Sequence, residues 1–119
     1  MKDNIIAIKS YNFALSIVFL SKKLVENKEY VLSRQILKSG TSIGANVEGA
    51  IGGISKRDFR AKMSISYKEA RETHYWLRLL KDSKYITTEK FNALENELSS
   101  VLKKIFKIIK SSKEKLIHH

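Results

Sequence analysis

The chain has 119 residues, 43% hydrophobic and 29% charged, with 23 Lys and Arg against 12 Asp and Glu, a formal net charge of +11 and a pI near 9.9. That length suits one domain, and the lack of cysteine excludes a disulfide framework, a thiolate metal site and a catalytic cysteine, as suits a cytoplasmic protein. The lack of proline and the presence of only five glycines favour long uninterrupted helices, so the expected class is all-α.

The first helix is predicted over residues 4–26, where Ile6, Phe13, Ile17, Leu20 and Leu24 share one face. Its apolar run from Asn12 to Leu20 is too short for a membrane span, and no small-residue cleavage pattern follows it, so neither an anchor nor a signal peptide is expected. Asn27-Lys28-Glu29 forms the break. The second helix, 30–50, turns Leu32, Ile36, Ser39, Ile43, Asn46 and Ala50 inward, and a turn follows at Gly52-Gly53. Each interior glycine costs a helix about 1 kcal/mol relative to alanine. Gly40 and Gly44, one turn apart, therefore predict the close approach of another backbone. Asn46 is expected to set the register through a buried hydrogen bond, and Glu48 is likewise read as structural.

The third helix, 55–84, opens on Ser55 as N-cap with Asp58 three residues on, and Ile54 is expected to staple onto Phe59. Its inward stripe is Phe59, Met63, Ser66, Ala70, Thr73, Leu77 and Leu80. Thr87 caps the fourth helix, 87–115, with Glu89 in its first turn and Ile86 reaching Phe91. Phe91, Leu94, Leu98, Val101, Ile105 and Ile108 then repeat at alternating steps of three and four. Four helices with short links predict an antiparallel up-down four-helix bundle forming a single domain over residues 1–119. The terminal His118-His119 is either native or a tag remnant, and nothing rests on it.

The third helix carries a second apolar stripe, Ala61, Ile65, Trp76 and Leu79, with Glu69 and Glu72 inside it; Leu102, Ile109, Val18 and Val25 add further apolar surface. One bundle core cannot bury both stripes, which predicts a homo-oligomer; the alternative is cover by the tail of the fourth helix within one subunit. Glu69 and Glu72 are expected to pair with Arg34 and Lys38 of a neighbouring helix or subunit rather than to act as an acid/base pair. A di-iron site needs two Glu-x-x-His units, whereas the chain has one internal histidine, His74, without glutamate at position 71. His74 is read as packed or partner-bonded. No phosphate-cradling glycine loop and no Ser-His-Asp arrangement occur, so no catalytic residue, metal or cofactor is expected.

The positive excess points to polyanions, nucleic acid first. Arg60, Ser64, Tyr67, Arg71 and Arg78 line the face of the third helix opposite Trp76, combining cations for phosphates with a ring for base stacking. Lys56 and Arg57 stand near the same helix's N-terminus, where free N–H groups favour anions. The plainer reading is a solvated face, or arginines paired with glutamates across a subunit boundary. Lys103, Lys104, Lys107, Lys110, Lys113 and Lys115 form a second basic run; a membrane-surface role for it ranks low, because its apolar seam continues the register of Phe91 and Leu94.

The run Gln35 to Ala50, followed by Ser55, Asp58-Phe59, Ile65, Lys68-Glu69-Ala70, Glu72-Thr73 and Tyr75-Trp76-Leu77, resembles the four-helix-bundle family of 23S rRNA intervening-sequence proteins, also labelled S23 ribosomal proteins. That family is similar in fold to the accessory variability determinants of diversity-generating retroelements, barrel-shaped homopentamers that bind nucleic acid and a reverse transcriptase. The resemblance implies a pentamer with a basic surface and no known catalysis. It does not imply ribosome membership. Two functions are thus expected: a non-enzymatic nucleic-acid-binding homo-oligomer for RNA or single-stranded DNA, with a role accessory to an RNA or a reverse transcriptase as one form of it, or alternatively a scaffold docking an acidic protein.

Overall fold

The computed structural model describes residues 2–117, with side chains from 5 to 112; His118, His119 and the side chains of Lys113 and Lys115 lie outside that range. Its elements are α1 (Lys2–Glu26), α2 (Val31–Ile51), α3 (Lys56–Asp82) and α4 (Thr88–Ile117), with no strand among the described residues. The body measures 52 × 22 × 21 Å. Each helix packs on the next, and α4 closes back onto α1. Ser10 faces Gly44, Ile17 faces Gly40 and Ser21 faces Ser33, so numbers fall along α2 as they rise along α1. The same holds between α1 and α4, where Lys9 Nζ donates to Ser100 Oγ at 2.8 Å and Ser16 Oγ to Glu97 Oε1 at 3.1 Å.

The predicted stripes fill the core: Ile6, Phe13, Ile17, Leu20 and Leu24 from α1; Met63, Ala70, Leu77 and Leu80 from α3; Phe91, Leu94, Leu98, Val101 and Ile105 from α4. Phe59 and Ile108 are only partly buried at its edge. On α2 the inward residue is Val47, not Asn46. Asn46 is half-buried, and its amide donates to Ser42 O of its own helix at 2.8 Å, so it sets no register. Buried serines make the cross-helix bonds instead: Ser33 Oγ to Ser21 O at 3.1 Å, and Ser66 Oγ to Ile43 O at 2.8 Å. A hydroxyl needs little room and finds a carbonyl where helices touch, so it satisfies itself at low packing cost.

The two glycines serve different contacts. A β-carbon on Gly44 would stand 3.4 Å from Ser10 O, an approach to backbone as expected. At Gly40 the neighbour is instead a side chain, with Ile17 Cγ2 2.8 Å from that point.

The α1–α2 and α3–α4 turns share one construction. Glu29 N bonds Leu24 O and Lys28 N bonds Val25 O, both at 2.9 Å; Tyr85 N bonds Leu80 O at 2.9 Å and Lys84 N bonds Lys81 O at 3.0 Å. These are Schellman ends, and each puts a lysine in the left-handed region, Lys28 at φ 64° and Lys84 at φ 68°. The Glu29 carboxylate also accepts Leu32 N–H at 2.8 Å, starting α2, and its proximity to the Tyr85 hydroxyl raises the phenol's pKa. Ser55 Oγ accepts Asp58 N–H at 3.0 Å and Thr87 Oγ1 accepts Lys90 N–H at 3.0 Å, the two expected caps. The staple does not form. Ile54 is 98% exposed because the chain leaving Gly53 carries it outward, and the Asp58 carboxylate lies over the turn instead.

A broad apolar surface stays uncovered. Ile65 and Leu79 of the second α3 stripe are exposed, whereas Trp76 packs partly against the core. The larger patch is on α1, where Ile8, Leu15 and Phe19 face away from the core, Phe19 at 63% exposure. By length and composition α1 is long and apolar enough over Ile5–Glu26 to cross a membrane, a longer stretch than the Asn12–Leu20 run suggests. One of its faces, with Ile6, Phe13, Ile17, Leu20 and Leu24, is sealed in the core, so part of that composition serves the bundle.

Candidate nucleic-acid interface

Alternation of core residues on α3 sends Tyr67, Arg71 and His74 to the edge beside α4. There they meet Glu95, Asn96, Ser99, Leu102, Lys103, Phe106 and Lys107 along an open groove of about 760 Å³, whose floor is Leu98. The rings of Tyr67 and Phe106 lie 6.2 Å apart between centroids and tilt by 43°. Tyr67 is half-buried against the core, while Phe106 is 54% exposed. At the other end His74 Nε2 lies 2.7 Å from Glu95 Oε2, so the histidine is partner-bonded. Three cations, Arg71, Lys103 and Lys107, thus border a floor that is apolar and aromatic.

Of the residues expected to contact nucleic acid, only Tyr67 and Arg71 line this groove. Arg60 lies on the same edge of α3 two turns earlier, half-buried, with no hydrogen-bond partner for its Nε among the described residues. Lys56 and Arg57 are exposed in the first turn of α3. Arg78 is exposed outside the groove, its guanidinium 5.8 Å from the centre of the Tyr75 ring. The sequence by itself does not single out Phe106, and it sets Lys103 and Lys107 apart in a separate basic run. The available signal was an aromatic between lysines that falls off the three-four seam of α4.

Charge divides unevenly along the bundle. The end holding the α2–α3 turn, residues 5–16, 41–68 and 98–112, has ten Lys and Arg against two acids. Residues 17–40 and 69–97, toward the other end, have ten against eight. The groove runs from the acidic His74–Glu95 contact toward the basic end.

Glu69 and Glu72 form no ion pair among the described residues, contrary to the expected pairing with Arg34 and Lys38 within the subunit. Glu69 is half-buried, and desolvation followed by the neighbouring Glu72 raises its pKa, with Lys38 pulling the other way. Glu72 is exposed and lies 3.4 Å from the Trp76 indole N–H, which donates to it. Glu48 is exposed and likewise forms no ion pair among the described residues. Arg34 and Lys38 are exposed, and there hydration competes with a single ion-pair contact. Among the described residues no group of three or more His, Asp or Glu is placed to hold a metal ion.

Fold and groove define a small all-α protein of four helices with a basic, aromatic-floored cleft between the last two. The family model for the 23S rRNA-intervening sequence protein matches residues 2–107, and the chain belongs to that family. It is similar to the crystal structure of a protein with unknown function from the S23 ribosomal protein family of Bacteroides thetaiotaomicron, at TM-score 0.90 and 50% identity over 92% of this chain and 99% of that one. No curated protein matches the chain.

Proposed function

We propose that the protein is a non-enzymatic nucleic-acid binder that engages the phosphate backbone along the α3–α4 groove and the adjoining basic end. The observation carrying this reading is that Arg71 of α3 and Lys103 and Lys107 of α4, distant in sequence, border one groove beside an aromatic pair. Arginine and lysine side chains with water on one side and an apolar wall on the other attract phosphates while keeping most of their hydration. Arg60 and the first turn of α3, with Lys56 and Arg57, extend the same basic path.

The reading includes a homo-oligomer of antiparallel up-down bundles, with a pentamer favoured by the family resemblance. It is supported by the outward apolar face of α1 and by Ile65 and Leu79 of α3, surface of a kind that monomers seldom leave open. Two unlike patches on one subunit suit a head-to-tail contact, which closes into a ring when the rotation permits.

Titration of a labelled RNA strand at several salt concentrations tests the proposal. Affinity is expected to fall with a log–log slope of about −0.7 per phosphate neutralised on a single strand. Combined Arg71→Gln, Lys103→Gln and Lys107→Gln changes should weaken binding to all sequences alike and reduce the slope by about two. Affinity that is flat in salt sinks the proposal, and capture of an acidic protein by the same three residues would favour the scaffold reading.

A further inference from the structure

Resting on that reading, we infer that the α3–α4 groove takes a short unpaired strand and holds one of its bases against Tyr67 and Phe106. Phe106 lies off the core seam of α4, yet this large ring sits half in water over the groove, 6.2 Å from the Tyr67 ring. The flat face of a nucleobase covers such a ring at little entropic cost, and the contact tolerates any base because each has a π-face. Lys103 lies one turn before Phe106, Lys107 directly follows it, and Arg71 lies one turn beyond Tyr67, so cations flank the aromatic pair. Phosphates on either side of a stacked base therefore meet positive charge.

The dimensions also leave room for more than a lone nucleotide. From Glu95 to Lys107 the α4 wall runs roughly 18 Å at helical rise, long enough for a few nucleotides in sequence. The Glu95 carboxylate bonded to His74 repels phosphate at one end, whereas the opposite end opens onto the most basic part of the bundle. A strand thus enters from the Lys107 side and stops short of Glu95. A duplex cannot use the floor, because its bases are stacked on each other and only their edges and phosphates reach the protein.

Phe106→Leu is the informative change, since the ring is exposed and leucine keeps α4 intact. Affinities for a short single-stranded RNA and for a duplex of the same length are measured in parallel, with light scattering on both proteins. Phe106→Leu is expected to weaken single-strand binding about fivefold or more, to leave duplex binding and the salt slope unchanged, and to be rescued by Phe106→Trp. Equal loss on strand and duplex, or no loss on either, overturns the inference while salt-dependent binding by the unaltered protein preserves the proposed function. A changed subunit count with the strand-to-duplex ratio unaltered also overturns it, since the ring would then belong to a contact between copies. Absence of salt-dependent binding by the unaltered protein removes both.

Discussion

Ile17 occupies the space that a side chain at Gly40 would need: its Cγ2 stands 2.8 Å and its Cγ1 2.9 Å from an ideal β-carbon there. Ile17 is fully buried and β-branched, with its rotamer held by its own helix, so it has little freedom to withdraw. Gly40→Ala should accordingly destabilise the fold by about 1–3 kcal/mol through overpacking, despite alanine's better helix propensity. Gly44→Ala meets Ser10 O at an ordinary 3.4 Å and should be neutral or stabilising by up to about 1 kcal/mol. Urea denaturation of the two variants checks the opposite signs; equal losses would contradict the packing described for both glycines.

Lys28 and Lys84 hold the left-handed positions of two equivalent turns, where a non-glycine residue pays about 1–2 kcal/mol. Glycine relieves that strain but loses more entropy on folding, so Lys28→Gly and Lys84→Gly should each stabilise by about 0.5–1 kcal/mol net. Thermal melts of the single and double variants read the gain as a few degrees, and a double variant that departs from the sum reports coupling through the Glu29–Tyr85 contact between the two turns.

Glu69 should make stability depend on pH in the sense opposite to that of a salt-bridged carboxylate. Its folded pKa is raised above 4.5, chiefly by desolvation, so the folded state holds the proton more tightly than the unfolded state does. Stability is therefore lost as pH rises through that interval and is fully present only below it. Glu69→Gln should be more stable than the parent at neutral pH and match it in acid. Melting curves of the pair across the range from acid to neutral decide the matter, and a difference independent of pH would exclude ionisation as the cause.

The outward face of α1 should join subunits without supporting the fold of any one of them. Ile8 and Phe19 are mostly exposed, so Ile8→Lys with Phe19→Lys should alter the stability of an isolated subunit by no more than about 0.5 kcal/mol per site. In light scattering coupled to size exclusion, the same pair should reduce the assembly to single subunits. An assembly of undiminished mass would show that α1 faces water, and unfolding would show that its outer face supports the subunit itself.

Local rules brought the four helices within about two residues of their observed ends. Ser55 and Thr87 were readable as caps because the residue three positions on supplies the N–H that each oxygen accepts. The α3 and α4 core stripes were readable for a related reason: a helical repeat maps directly to a buried face. Asn46 and Ile54 were misread where neighbouring choices were nearly equivalent locally. Asn46 and Val47 lie one step apart near the same boundary, and the packing of the neighbouring helices on α2 decides which is covered.

Amino-acid order alone determined the helix periods, the caps, the breaks and the excess of positive charge, since these depend on neighbours within a turn or on simple counting. Tertiary structure decided that Ile17 rather than a backbone fills the gap at Gly40, and that His74 finds Glu95. It also joined Tyr67 and Arg71 to Lys103, Phe106 and Lys107, more than thirty residues away, in one groove. Contacts across that separation depend on how helices pair and rotate about their axes. That rotation is set by the packing of the whole core, which no local pattern encodes.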